Sequence, residues 1–303
     1  MEQTLQLQPE LVAAIIEAQF PDLCPVRVNY LGEGYDSTAF DVNDNLVFRF
    51  PKRSEVEGQL VVETEMLPLL ANGCPLPIPR YSFHGVPSPL FPRHFAGYAK
   101  LPGVPGIELD PTQLEFSRLA PVLGGFLSFL HAFPVNTATL LGVPEVASGV
   151  MIENARAEAL SDVDVVRRVE VDVPEGELRS FLEAGIVTDQ HSPIIPVLVH
   201  RDLAAEHILL DRLTQEVTGI IDWSEISVAD PAIDFAGIFH WGGVDFTNAV
   251  LSHYDQEPDC GLLTRAQFFA TCKGIADITF GLETHRLEYI HAGVRALRVC
   301  LAD

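Results

Sequence analysis

Apolar and polar positions follow a helical period near the N-terminus and then switch to a two-residue alternation. Residues 9–20 carry Leu11, Ile15 and Ala18 at helical spacing, after a proline suited to a first helical turn. Residues 28–50 alternate instead, around glycines and an Asn-Asp-Asn turn. This pattern predicts an N-terminal helix followed by two or three antiparallel strands with hairpin connections.

The rest of the chain changes pattern twice more. A second helix is predicted at about residues 55–71, and proline and glycine then crowd residues 73–111 around a strand-like run at 95–101. From about residue 112 onward the pattern is mainly helical, with an island of strand at 194–222. Two regions of different character follow from this, a strand-rich one and a helical one.

The length and composition agree with such a division. A chain of 303 residues, 48% of them hydrophobic, can bury a large core, so one two-lobed unit or two modest domains is expected. The segment 101–106, Leu-Pro-Gly-Val-Pro-Gly, is the candidate boundary. We therefore predict an α+β protein, with an antiparallel sheet in residues 1–101 and mainly helices in residues 102–303.

Several features bear on location and cofactor class. The N-terminal sequence lacks a basic segment followed by an apolar one, and the chain has no run of 18 apolar residues. We therefore expect a cytoplasmic protein that does not contact a membrane, and we assume a monomer. The five cysteines are odd in number and far apart, which argues against a disulfide framework or a structural zinc site.

The charge is strongly negative. Nineteen Lys and Arg residues against 42 Asp and Glu residues give a formal net charge of -23. Such a field repels nucleic acid and attracts a polycationic ligand, so we expect no nucleic-acid partner. The alternative is that the charge serves solubility alone.

The stretch 197–211, Val-Leu-Val-His-Arg-Asp-Leu-Ala-Ala-Glu-His-Ile-Leu-Leu-Asp, places polar groups between two apolar runs. We interpret it, with the β-rich run that follows, as a small hairpin with a loop at its mouth. Asp202, His207 and Asp222 lie at that mouth. Divalent cations bind carboxylates and imidazole, and a hydroxyl nucleophile needs a carboxylate within hydrogen-bond reach. The alternative is a loop of solvated polar residues.

This stretch, together with the run Thr-Gly-Ile-Ile-Asp-Trp-Ser-Glu-Ile-Ser-Val-Ala-Asp-Pro-Ala-Ile-Asp-Phe-Ala, resembles the catalytic and metal loops of the aminoglycoside phosphotransferase family. The likeness is greatest to the enzymes that modify a 2″-hydroxyl, and macrolide phosphotransferases are also similar. The resemblance implies a bilobal protein-kinase-like fold, Mg²⁺, and ATP or GTP as phosphate donor. It also implies Asp202 as the base or orienting group and His207 and Asp222 as magnesium ligands, with His207 where most kinases carry Asn.

A second aspartate follows the metal loop. Asp230 and Pro231 predict a helix N-terminus, and Asp234 falls on the same side of that helix as the cap. The resemblance implies that Asp234 fixes the catalytic loop by hydrogen bonds, and we assign His200 and Asp234 to structural support of this loop.

Residues 31–37, Leu-Gly-Glu-Gly-Tyr-Asp-Ser, place Gly32 and Gly34 in a predicted hairpin turn. Glycines let backbone amides approach phosphate oxygens closely, although an ordinary tight turn is the alternative. The chain has no P-loop motif. Ser37 stands where a protein-kinase loop has its third glycine, and its hydroxyl or amide is a further candidate for phosphate binding.

A cation and a carboxylate are predicted to pair in the N-terminal region. Two-residue alternation places Arg49 away from the most apolar face of its strand. Glu63 falls inside the apolar stripe of the following helix, where a carboxylate needs a partner. We expect Arg49 and Glu63 to pair and to hold the guanidinium against nucleotide phosphates, with Lys52 as the second candidate cation. The pair resembles the Lys and Glu of kinases, with Arg in place of Lys; the alternative is an exposed Arg and Glu.

The remaining site assignments concern the base and the acceptor. The resemblance implies that the nucleotide base bonds the backbone at Ala99 and Leu101. The resemblance to the 2″-type enzymes also implies that Glu225 makes an acidic contact to a cationic acceptor, and the acceptor set is completed by three further residues: Trp241, Asp245 and Glu283. For Trp241 the alternative is core packing, and for Glu283 it is a solvated helix face. The other histidines are assigned to the surface or to packing.

Three functions stay open at this stage. The first is a kinase for an aminoglycoside, favoured by the acidic balance and Glu225. The second is a kinase for a macrolide or a metabolite alcohol. It is favoured by Trp241 and its neighbouring glycines, which stand where the 2″-type enzymes have an acid-rich segment. The third is a catalytically silent nucleotide-binding module.

Overall fold

The computed structural model describes residues 7–34, 36–169, 171, 175–184, 186 and 193–301. The chain divides into two units, an N-terminal unit of residues 1–73 and 77–101 and a C-terminal unit of residues 74–76 and 102–303.

In its described residues, the N-terminal unit contains two α-helices and a five-stranded sheet. Its elements are α1 (Pro9–Gln19), β1 (Val28–Glu33), β2 (Ser37–Val42), β3 (Leu46–Pro51), α2 (Ser54–Leu70), β4 (Tyr81–Gly85) and β5 (Phe95–Ala99). The strand order is β1-β2-β3-β5-β4, and every neighbouring pair is antiparallel. The predicted first helix, hairpin strands and second helix are all present.

One face of this sheet carries the core of the N-terminal unit. Phe48 and Phe50 of β3 lie on the same face because successive side chains alternate, and both are fully buried. They pack with Val12 and Ile15 of α1, and the ring of Phe50 stacks on that of Phe95 at 4.6 Å. The opposite face of β3 presents Arg49, and α2 directs a carboxylate toward it.

The C-terminal unit is mainly helical. Its elements are β6 (Val104–Pro105), α3 (Phe116–His131), α4 (Val135–Leu140), α5 (Ser148–Asp162), α6 (Glu175–Ala184), β7 (Val197–Val199), β8 (Ile208–Leu210), β9 (Val217–Ile220), β10 (Ser227–Ala229), α7 (Ala232–Leu251), α8 (Leu262–Thr284) and α9 (Leu287–Cys300). The α+β class, with an antiparallel N-terminal sheet and a mainly helical C-terminal part, is confirmed.

The strands of this unit frame two loops. β8 and β9 form the expected hairpin, with β6 on the free edge of β8. β7 pairs instead with β10, which is close in space but distant along the chain. The loop between β7 and β8 and the loop between β9 and β10 carry the polar residues of the predicted site.

Helix α7 is kinked. Gly243 has a φ of 73°, a left-handed value that glycine adopts without steric cost, and the helix changes direction there. The helix begins at Ala232, one residue later than predicted, and Asp230 accepts a hydrogen bond from the Ala232 amide. Among the described residues, no helix is both long and apolar enough to cross a bilayer.

Candidate active site

Three predicted polar groups meet at the ends of the two loops. His207 donates a hydrogen bond from Nδ1 to the main-chain oxygen of Asp202 at 2.8 Å, and the same nitrogen lies 3.4 Å from the Asp202 carboxylate. The Nε2 atom of His207 lies 3.6 Å from the carboxylate of Asp222. Because the carbonyl can only accept, Nδ1 carries the proton, and in the neutral form of the ring the Nε2 lone pair faces Asp222. This imidazole and carboxylate pair fits a divalent cation.

Two residues beside this cluster have left-handed backbones. Arg201 has a φ of 71° and Asp222 a φ of 62°, values that cost energy for residues other than glycine. The Ser224 hydroxyl donates to the Asp222 carboxylate at 3.0 Å. Each loop thus contains a residue with a left-handed backbone, and a hydrogen bond fixes the Asp222 carboxylate.

The two histidines of the loop have opposite pKa shifts. Burial opposes the charged form of His207, but the carboxylates of Asp202, Asp222 and Glu206 outweigh it and raise its pKa. Burial lowers the pKa of His200, whose Nε2 donates to the Ile221 carbonyl at 3.0 Å. His200 therefore supports the loop as a neutral ring.

Asp234 anchors the start of the loop that carries Asp202. Its carboxylate accepts hydrogen bonds from the amides of His200, at 3.0 Å, and Arg201, at 2.7 Å. It also contacts His131 Nε2 at 3.1 Å, and the other nitrogen of His131 lies 2.8 Å from the Tyr254 hydroxyl. The expected hydrogen bonds between the loop and Asp234 are present, and His131 has a polar role beyond packing.

The next turn of α7 brings its backbone against the same loop. A Cβ atom on Gly237 would lie 1.7 Å from the Leu203 carbonyl oxygen, so no larger residue fits without moving the loop. Leu203 and Ala204 are buried against this helix. The loop that carries Asp202 is thus fixed by packing as well as by hydrogen bonds.

A buried ion pair, missed from the sequence, lies beside the cluster. Lys273 of α8 donates to the Glu206 carboxylate at 2.5 Å and to that of Asp277 at 3.0 Å. Burial opposes the charged form of Glu206, yet the Lys273 ammonium lowers the pKa of this carboxyl to about 2. Coordinating atoms of Asp202, Glu206 and His207 all lie within 4.8 Å of one another.

Sequence signals for this pair exist but are weak. Glu206 interrupts an apolar run, and Lys273 and Asp277 stand four residues apart in a helix. Neither signal predicts that Glu206 contacts Lys273, because 67 residues separate the two along the chain.

The Arg49–Glu63 pair of the N-terminal unit is confirmed. One nitrogen of the Arg49 guanidinium donates to both Glu63 carboxylate oxygens at 3.0 Å, and both side chains are buried. The Tyr81 hydroxyl donates to Glu63 at 2.8 Å. Burial, with the Glu63 charge in support, raises the pKa of Tyr81 well above its usual value.

The glycine segment differs from its prediction in one respect. Gly34 lies in the turn, where its amide donates to the Ser37 carbonyl at 3.0 Å, but Gly32 lies in β1 at a register shift. The prediction that both glycines occupy the turn was therefore wrong for Gly32, because the strand continues through a bulge to Glu33. Lys52 donates to the Gly34 carbonyl at 2.7 Å, so this cation holds the turn.

The predicted base-binding backbone lies at the end of β5. Ala99 is the last residue of that strand and pairs with Leu46, and Leu101 follows two residues later. Ala99 is exposed.

The predicted acceptor residues lie on different elements of the C-terminal unit. Glu225 lies 3.0 Å from Arg201, beside the catalytic loop. Trp241 is 4% exposed, and its ring packs against that of Phe116 with 5.6 Å between the centroids. This agrees with the alternative of core packing. Asp245 and Glu283 are exposed, on α7 beyond its kink and in the last turn of α8.

The family model of the phosphotransferase enzyme family matches residues 27–269, which is more than half of the chain. The chain belongs to this family. The resemblance inferred from the two loops is confirmed, and so is the inference that the protein is a phosphotransferase.

Solved structures of this family agree in fold. The GDP and kanamycin complex of APH(2″)-IIIa is 28% identical, covering 96% of this chain and 98% of that chain, with a TM-score of 0.73. The GDP complex of wild-type aminoglycoside 2'-phosphotransferase-IIIa has a TM-score of 0.74 at 28% identity, covering 97% of this chain and 98% of that chain. Macrolide 2'-phosphotransferase MphH of Brachybacterium faecium shares the fold at 23% identity, with a TM-score of 0.60 over 90% of this chain and 91% of that chain.

A curated relative is also similar. YcbJ, an uncharacterized protein of Bacillus subtilis (strain 168), is 28% identical over 214 residues, covering 69% of this chain and 67% of that protein.

Proposed function

We propose that the protein transfers the γ-phosphoryl group of a nucleoside triphosphate to a hydroxyl of an aminoglycoside-like acceptor. The observation that carries the proposal is the convergence of Asp202, His207 and Asp222, three groups that phosphoryl transfer needs, at the mouths of two loops. The 28% identity to a phosphotransferase solved with GDP and kanamycin supports this acceptor class.

In this proposal Asp202 orients the acceptor hydroxyl and accepts its proton as the phosphoryl group is transferred. His207 Nε2 and the Asp222 carboxylate hold Mg²⁺, which supplies positive charge to the phosphate oxygens. The hydrogen bonds of Asp234 to the loop amides keep the Asp202 carboxylate in place. Catalysis is then positioning and electrostatic stabilisation, with little covalent chemistry for the protein to perform.

The N-terminal unit is assigned to the nucleotide. Arg49, fixed by Glu63, neutralises phosphate charge, and the segment that contains Gly32, Gly34 and Ser37 binds phosphate oxygens. A Cβ atom added to Gly32 or Gly34 would have no other atom within 4 Å, so the space beside this backbone is open to a ligand. The base bonds the backbone at Ala99 and Leu101. GTP is the first donor to test, because the structures at 28% identity contain GDP.

The acceptor is assigned to acidic groups of the C-terminal unit. Glu225, Asp245 and Glu283 supply carboxylates for a polyamine sugar, and the net charge of -23 attracts such a cation. Trp241 is buried and serves the packing of α7, so the acceptor set is smaller than the sequence suggested.

A second candidate function is favoured by one observation. Arg201 already pairs with Glu225 at 3.0 Å, so this carboxylate has a resident cation. An acceptor with less positive charge, such as a macrolide or a metabolite alcohol, does not need a free carboxylate at this position.

The deciding experiment is a phosphoryl-transfer screen with purified protein, Mg²⁺, and GTP or ATP. Kanamycin, a macrolide and simple sugar alcohols serve as acceptors, and phosphorus NMR identifies the phosphorylated product. A new phosphate ester on kanamycin supports the first candidate, and an ester on a macrolide or alcohol alone supports the second. The Asp202→Asn variant is the control. If the unmodified protein transferred phosphate no faster than this variant with every acceptor, both candidate functions would be contradicted.

A further inference from the structure

Glu206 lies on the catalytic loop directly before His207, and its side chain is 94% buried. One carboxylate oxygen bonds Lys273, and the other is buried without a hydrogen bond. Because coordinating atoms of Asp202, Glu206 and His207 lie within 4.8 Å of one another, two carboxylates repel each other here. Such a group of ligands attracts a cation of some kind.

Lys273 supplies a positive charge from outside the loop. Its ammonium joins Glu206 to Asp277, one turn farther along α8, and Asp277 lies 2.9 Å from His240 of α7. Burial opposes the charged ammonium, but Asp277, Glu206 and Asp202 outweigh it and raise the pKa of Lys273 well above its usual value. The charge of Lys273 therefore acts on Asp202 as well as on its two bonded partners.

We propose that Lys273 is a positioning residue of the catalytic loop, a built-in cation that offsets part of the negative charge of the Asp202–Glu206–His207 cluster and keeps a divalent ion from binding between these groups. The proposal rests on the proposed function, because it assigns Lys273 a task beside Asp202 and His207. It explains why a carboxylate is buried immediately before a proposed metal ligand: the divalent ion is then restricted to the His207–Asp222 side.

The loop is then held at two ends. Asp234 binds its first amides, Lys273 binds Glu206 near its end, and Asp202 lies between. A displacement of the reacting group by about 1 Å costs roughly 10²-fold in rate. Loss of the Lys273 anchor should therefore lower kcat by roughly 10²-fold and leave nucleotide affinity within about threefold, since the proposed nucleotide contacts lie elsewhere.

The test compares Lys273→Met, which keeps the length and removes the charge, with Glu206→Gln/Lys273→Met. Mn²⁺ binding without nucleotide is followed by electron paramagnetic resonance, alongside kcat and the KM of the nucleotide. The single variant is expected to gain a nucleotide-independent Mn²⁺ site, which the double variant lacks. Both are expected to lose kcat. Arg179→Met is the matched control, because it breaks an exposed ion pair with Asp164 in the same unit and should change neither readout.

Two outcomes would overturn the proposal. One is a folded Lys273→Met variant without Mn²⁺ uptake and with the kcat of the unmodified protein; the other is equal Mn²⁺ uptake by the single and the double variant. If Lys273→Met does not fold, the double variant carries the test, and its turnover at the unmodified rate would overturn the proposal. Mn²⁺ uptake requires no phosphoryl transfer, so a failure of the proposed function is recognised separately, by an inactive unmodified protein.

Discussion

Asp202 is the residue on which the proposed chemistry depends most directly. Its carboxylate is half-exposed, so it can reach a bound acceptor, while its amide and its carbonyl are held by His200 and His207. Fixing the main chain and leaving the carboxylate accessible is what an orienting group requires.

Replacing Asp202 with Asn should therefore lower turnover strongly and spare nucleotide binding. We expect kcat to fall by about 10²–10⁴-fold, because the amide cannot accept the hydroxyl proton, and the nucleotide affinity to stay unchanged. Steady-state kinetics and calorimetric nucleotide binding measure the two effects. Unchanged kcat would remove Asp202 from the mechanism.

Arg49 is a residue whose partner the sequence predicted correctly. Period placed Glu63 in the apolar stripe of α2 and Arg49 on the less apolar face of β3, and the need of a buried carboxylate for a cation then indicated the pair, because the two elements are adjacent along the chain. The Glu206–Lys273 pair could not be found in this way. Its members lie on a loop and a helix 67 residues apart, and local periodicity carries no information about which distant elements pack together.

Arg49→Met should lower both stability and nucleotide affinity. Removing the cation that pairs with the buried Glu63 carboxylate costs about 3–5 kcal/mol in the free energy of unfolding. The control is Arg27→Met, whose pair with Asp44 is exposed and whose loss should cost only about 0–1 kcal/mol. Urea unfolding and the KM of the nucleotide are the measurements. Equal losses in the two variants would show that burial of the pair contributes nothing.

At the scale of elements, predictability follows from the distance between partners along the chain. The hairpins of the N-terminal sheet and the β8–β9 hairpin were predicted because turn residues separate adjacent alternating runs. The β7–β10 pairing was not predicted. It joins segments separated by a complete hairpin, and its short strands carry little pattern of their own.

The close packing of α7 on the catalytic loop gives an element-scale prediction. Gly237→Ala places a methyl group against the Leu203 carbonyl, so we expect the loop to shift, with a loss of stability of about 1–3 kcal/mol and a fall in kcat. Gly125→Ala in α3 is the control, because the space beside it is open and alanine favours helix by about 0.5–1 kcal/mol. Thermal unfolding and kcat are measured for both. A Gly237→Ala variant as stable and active as the control would contradict the close approach.

A second element-scale prediction concerns a buried arginine. Arg265 of α8 bonds Asp230 before α7 and Asp259 before α8, each through two hydrogen bonds. Hydrogen bonds from Arg265, acting against burial, lower the pKa of Asp259. A carboxyl whose pKa is lower in the folded state stabilises above its unfolded pKa and loses this contribution as pH falls through the folded value.

The free energy of unfolding should therefore respond to pH differently in Asp259→Asn. At neutral pH we expect the variant to be less stable by roughly 1–3 kcal/mol, because a charged hydrogen-bonded partner is lost. Below about pH 3.9, the usual aspartate value, the difference should shrink as Asp259 in the unmodified protein is protonated. Denaturant unfolding across this range is the measurement. A difference independent of pH would assign the effect to packing alone.

The whole molecule carries a net charge of -23. The effect of this charge on kcat/KM distinguishes the two acceptor classes without a structure of the protein bound to its acceptor. A negative field draws a polyamine sugar toward the protein from a distance, whereas a neutral alcohol gains nothing from it. Salt screens this attraction, since the Debye length falls from about 30 Å at 0.01 M to about 8 Å at 0.15 M ionic strength.

For a cationic acceptor, kcat/KM should therefore fall as salt is raised, through KM more than through kcat. For a neutral alcohol acceptor it should stay nearly constant, which provides the control within the same protein. If the cationic acceptor showed no salt dependence, the negative charge would serve solubility and not substrate capture, and the Arg201–Glu225 pair would then favour the less charged acceptors.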